Sequence, residues 1–80
     1  MSREEIFEKV KQIVFEAMGE EKEINMETSI VEDLGLDSLD IIEMIMTVEE
    51  EFEISIEDSA AETFVKVSDV IDYIEKAKNN

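Results

Sequence analysis

The chain has no cysteine and no histidine among its 80 residues, and only 7 basic residues against 23 acidic ones. Without cysteine there is neither a disulfide nor a thiolate nucleophile, and without histidine the commonest general base and the usual zinc ligands are gone as well. Any thiol chemistry must come from an added group. Long hydrophobic runs are also missing: none exceeds the length of Met44-Ile45-Met46, far too short to span a bilayer. The opening Met1-Ser2-Arg3-Glu4-Glu5 has no apolar segment behind it. The expectation is a soluble, cytoplasmic monomer that does not insert into membranes. Eighty residues suit one small domain spanning 1–80, too small to enclose a large active site.

A formal net charge of −16 repels nucleic acid and anionic lipid, so protein partners should present basic patches. The plainer reading is that the acids only keep the chain soluble. Disorder is disfavoured: although 38% of residues are charged, the 44% that are hydrophobic recur periodically.

Ile6, Phe7, Val10, Ile13, Val14, Ala17 and Met18 recur at steps of three and four, within an arc of about 140° on a helix. They predict a first helix from Arg3 to Met18, stopped by Gly19 at C′. A long connection to Asp37 follows. Its apolar residues, Ile24, Met26, Ile30, Val31, Leu34 and Leu36, are spaced too irregularly for one helix and suit a loop pinned to the core by several of them. The second helix should open after Gly35, with Asp37 as N-cap, Asp40 at N3 and Leu36 placed to staple against Ile41, and should run to Phe52. A short helix is expected around Ser59 to Thr63. A last one should begin at an N-cap on Ser68 and run through Val70, Ile71, Ile74 and Ala77, with Lys76 and Lys78 near its negative end. The predicted fold is all-α: a small four-helix bundle of three main helices and one short one.

The second helix carries two apolar stripes. Ile41, Met44, Ile45, Val48 and Phe52 form one; Leu39, Ile42 and Met46 form another, roughly opposite and flanked by Asp40, Glu43, Glu49, Glu50 and Glu53. Either the helix is central and buries both, or the second stripe docks a partner. So small a chain has few elements to cover both faces, and an acid-rimmed apolar strip favours docking.

Ser38 stands at the start of that helix. No histidine accompanies it, so a Ser-His-Asp arrangement is excluded, and serines at capped helix starts are common. A phosphate ester there would meet the positive end of the helix, opposed by Asp37 and Asp40, two carboxylates that could instead hold a metal ion for an acting transferase.

The run Val31-Glu32-Asp33-Leu34-Gly35-Leu36-Asp37-Ser38-Leu39-Asp40 resembles the phosphopantetheine attachment segment of acyl carrier proteins, and Glu43, Glu49-Glu50-Glu51-Phe52 and Asp72-Tyr73-Ile74 are similar to the remainder of the bacterial carriers of fatty acid synthesis. The resemblance implies a non-enzyme that receives 4′-phosphopantetheine from coenzyme A on Ser38 through a holo-carrier synthase. The arm would then carry growing acyl chains as thioesters for type II fatty acid synthesis. It further implies a partner surface of Asp37, Leu39, Asp40, Ile42, Glu43, Met46, Glu49 and Glu50. An acyl pocket would be lined by Ile41, Ile45, Val48, Ile56, Ala61 and Phe64, residues that membership of the core would equally explain. No resident metal is expected. Gly-Leu-Asp-Ser-Leu also occurs in polyketide and nonribosomal carriers, so a specialised polyketide, lipid A or D-alanyl carrier is the near alternative. From a different class, the runner-up is an acidic helical adaptor that binds basic partners without the arm; an enzyme is third and remote, since no cavity-forming polar constellation accompanies the paired carboxylates. Glu57 stands where many relatives have proline, leaving the start of the short helix without a fixed φ.

Overall fold

The computed structural model describes residues 2–79, which form α1 (Arg3–Met18), α2 (Ser38–Phe52), α3 (Asp58–Ala61) and α4 (Val67–Asn79). Three long helices and one short one make an all-α fold with a long connection between α1 and α2, as the apolar periodicity predicts. Helix α1 packs against both α2 and α4. Its start is fixed by a capping box that the Ser2-x-x-Glu5 spacing encodes: Ser2 Oγ accepts the Glu5 N–H, and the Glu5 carboxylate accepts the Ser2 N–H. The Ser2 N–H, and after it the Ser2 hydroxyl, hold the Glu5 carboxyl below the usual range. Gly19 ends the helix at φ 77°, donating its N–H to the Phe15 carbonyl at 2.9 Å.

Residues from every element except α3 share one buried apolar cluster. Helix α1 contributes Ile6, Val10, Ile13 and Val14, α2 contributes Met44, Ile45, Val48 and Phe52, and α4 contributes Val67, Val70, Ile71 and Ile74. The long connection adds Ile24, Ile30, Leu34 and Leu36, with Met26 partly buried against them. Val31 is the exception, 55% exposed.

Two backbone devices hold this connection. Ser29 and Lys66 form an isolated antiparallel bridge, within which the Ile30 N–H donates to the Val65 carbonyl at 2.9 Å and the Val67 N–H to the Thr28 carbonyl at 3.0 Å. Gly35, at φ 68° with its N–H on the Val31 carbonyl, then redirects the chain into α2.

The start of α4 differs from the expectation. The helix begins at Val67, and Ser68 lies inside it rather than capping it. Carbonyls of the long connection satisfy its first N–H groups: the Ser68 N–H donates to Met26 and the Val67 N–H to Thr28. Asp69, inside the first turn, reaches back to the chain that enters the helix, its Oδ2 accepting the N–H groups of Val65 and Lys66 at 2.9 Å each. Val70, Ile71 and Ile74 of the expected apolar series are buried, whereas Ala77 is exposed. The short helix forms one residue early, at Asp58 rather than Ser59, and ends at Ala61, two residues before the expected Thr63. Glu57 serves as its N-cap at φ −69° without a side-chain bond, and none of its four residues is buried.

Candidate functional site

The turn ending at Gly35 delivers Leu36 into the core and leaves Asp37 as the N-cap of α2. Asp37 Oδ1 accepts the Asp40 N–H at 2.9 Å, and Asp40 Oδ2 accepts the Asp37 N–H at 3.3 Å. The cap is thus built from the two acids on either side of Ser38. Ser38 is the first helical residue, at the positive end of the helix, is exposed, and takes no part in these capping bonds. An ester at its hydroxyl oxygen would displace no structural hydrogen bond of the cap. The site therefore fits a group attached through a phosphodiester.

Along α2 the two stripes separate as the spacing predicts. Met44, Ile45, Val48 and Phe52 are buried and Ile41 is partly buried, whereas Leu39, Ile42 and Met46 are 65%, 55% and 56% exposed. The helix therefore does not bury both faces. Glu43 and Glu50 are exposed beside the outer stripe and Asp40 is half-buried. Glu49, assigned from sequence to the acidic flank alone, also has a structural contact: its Oε2 accepts the Ile56 N–H at 2.9 Å. No spacing rule announces that bond, because it joins the helix to the segment beyond its end.

Of the six residues assigned to an acyl pocket, Ile45, Val48, Ile56 and Phe64 lie in the buried cluster, and Ile41 and Ala61 pack against it. Two surface clefts lie between α1 and α2. One is lined by Glu8, Lys9, Gln12, Ile13, Glu16 and Glu51, and the other includes Ala17, Glu43, Met44 and Thr47. Neither contains any of the six. Among the described residues, no group of three or more acids is arranged to hold a metal ion, and no helix is long and apolar enough to cross a membrane.

A family model described as a phosphopantetheine attachment site matches residues 8–74. The chain belongs to the acyl carrier protein family. Its relatives include an acyl carrier protein of Campylobacter lari, 49% identical over 71 residues that cover 88% of this chain and 92% of the relative. Another, from Clostridium acetobutylicum, is 51% identical over 70 residues, covering 86% of this chain and 91% of that one. The solved acyl carrier protein of Thermotoga maritima superposes with a TM-score of 0.86 at 35% identity, covering 99% of this chain and 93% of the other. Carriers of this family are defined by covalent 4′-phosphopantetheine, a group whose chemistry this cysteine-free chain cannot supply from its own side chains. The family role is that of a carrier rather than a catalyst.

Proposed function

We propose that Ser38 is the attachment point of 4′-phosphopantetheine and that the chain carries growing acyl groups for the separate enzymes of type II fatty acid synthesis. The observation that supports this most directly is the exposed Ser38, left out of a cap that Asp37 and Asp40 complete between themselves. When attached, the arm supplies a thiol on which an acyl group is held as a thioester. The side chains around it do the rest. Leu39, Ile42 and Met46 offer an apolar strip, and Asp37, Asp40, Glu43, Glu49 and Glu50 set a negative rim. Together they would receive a holo-carrier synthase and other enzymes through basic docking patches. Ile41, Ile45, Val48, Ile56, Ala61 and Phe64 would receive the acyl chain, with α3, which buries no residue of its own, as the wall most easily displaced. The working form is a cytoplasmic monomer of one domain.

Incubation with coenzyme A and a holo-carrier synthase tests the site. The intact mass should rise by one phosphopantetheine, and Ser38→Ala should abolish the increment. An increment on the Ala variant would refute the assignment, and none on the unmodified chain would favour the adaptor. Acylation of the loaded protein by enzymes of fatty acid synthesis, compared with polyketide, lipid A and D-alanyl enzymes, then distinguishes the pathways.

A further inference from the structure

Glu49 belongs to the proposed docking face and at the same time holds the connection from α2 to α3. Its Oε2 accepts the Ile56 N–H at 2.9 Å, while its backbone carbonyl accepts the N–H groups of Glu53 and Ile54. The other side-chain tie to this connection among the described residues is the Tyr73 hydroxyl, which donates to the Ser55 carbonyl at 3.2 Å. Beyond the connection α3 has four residues, none buried and no side-chain cap. Ile56 itself is buried. The carboxylate of Glu49 therefore fixes the point at which the chain turns from the docking helix into its least anchored element.

A backbone amide is a neutral donor, whereas a guanidinium or ammonium offers a carboxylate a charge-assisted bond that is shorter and stronger. Glu49 is only half-buried, with Glu50 and Glu51 exposed next to it, so the flank that attracts a basic partner exposes this carboxylate to competition. We propose that Glu49 is a docking-sensitive latch: a basic side chain of the partner draws its carboxylate from the Ile56 N–H and so loosens the α2–α3 connection. The apolar cluster of Ile45, Val48, Ile56 and Phe64 then becomes accessible at the moment of docking. The inference rests on the reading of α2 as the docking face and of these residues as the acyl pocket.

Residue-resolved amide exchange on the full chain tests it without the arm. Glu49→Ala should speed exchange at Ile56, and at Ala61 and Glu62 in and after α3, by about tenfold, the scale of one lost charge-assisted bond. Val10 and Ile71 should be unaffected. Glu49→Gln, which keeps an acceptor oxygen, should restore protection at Ile56. A short oligoarginine peptide should speed exchange at Ile56 in the unmodified chain and add nothing in Glu49→Ala. Unchanged exchange at Ile56 in the Ala variant would overturn the latch, as would unchanged exchange while the peptide is bound at Glu43 and Glu50. If the Ala variant fails to fold, Glu49→Gln and the peptide titration on the unmodified chain still decide. Failure of Ser38 loading would count against the attachment site and leave these exchange results standing, so the two ideas fail separately.

Discussion

Asp37 and Asp40 cap each other across Ser38, the Oδ1 of the first on the N–H of the second at 2.9 Å and the reverse bond at 3.3 Å. Replacing either acid by alanine leaves one of these N–H groups without its partner. Asp37→Ala should lower unfolding free energy by about 1 kcal/mol, as N-cap truncations do, while Asp37→Asn or Asp37→Ser should retain most of it. Urea denaturation measures the difference. Equal losses for Ala and Asn would show that charge, not the hydrogen bond, is what the position contributes.

The same residues show what was legible in the sequence. Gly35, Leu36, Asp37 and Asp40 are local signals that act on adjacent backbone, so the start of α2 could be read directly. The exposed stripe of Leu39, Ile42 and Met46 was legible for the same reason, since helical spacing alone separates it from Met44, Ile45, Val48 and Phe52. The start of α4 was not legible. Ser68 has the chemistry of a cap, but its N–H is taken by the carbonyl of Met26, a partner that only the folded connection brings near. Glu49 likewise looks like one more surface acid until Ile56 folds back onto it. Val31 fits an apolar loop pattern, yet the turn closed by the Gly35 N–H on its carbonyl leaves its side chain outside.

Glu53 ends α2 at φ 54°, a left-handed conformation in a residue with a side chain. Left-handed backbone costs an L-residue about 1–2 kcal/mol, and a carboxylate at the negative end of the helix adds repulsion. Glycine removes both penalties but gains freedom in the unfolded chain. Glu53→Gly should therefore stabilise the protein by about 1 kcal/mol, read as a higher urea midpoint. Glu53→Ala, which removes only the charge, should gain less. A Gly variant no more stable than the Ala variant would show that the conformation is unstrained.

Asp69 accepts the N–H groups of Lys66 and Val65, and these bonds hold its carboxyl below the usual range. A group lowered in the folded state contributes stability that is fully present above its unfolded pKa, about 3.9 for aspartate, and is lost as pH falls through the folded value. The advantage of the unmodified chain over Asp69→Asn should thus be largest near neutral pH and shrink below about pH 4. Urea midpoints of the two proteins across this range check it. A gap that stays constant on acidification would mean that the neutral side chain accepts these N–H groups as well as the ionised one.

The partner face can be separated into a part that attracts and a part that holds. Glu43 is exposed beside the apolar strip and has no bond to the core, so Glu43→Lys should leave thermal stability within about 0.5 kcal/mol of the unmodified chain, as for surface substitutions generally. The same change should slow association with a holo-carrier synthase and flatten its dependence on salt, because long-range attraction acts on encounter. Met46 is 56% exposed on the strip between the acids. Truncating it removes apolar contact only after the complex has formed, so Met46→Ala should chiefly speed dissociation. Glu49→Lys should differ from both. It reverses a charge on the flank and also removes the acceptor of the Ile56 N–H, so it should slow association as Glu43→Lys does and in addition lower the unfolding midpoint. Stopped-flow association rates across a salt series, set beside urea midpoints, resolve the three patterns. If Glu43→Lys and Met46→Ala both left association and dissociation unchanged, the outer stripe of α2 would be a solvated face and docking would have to be sought elsewhere on the molecule.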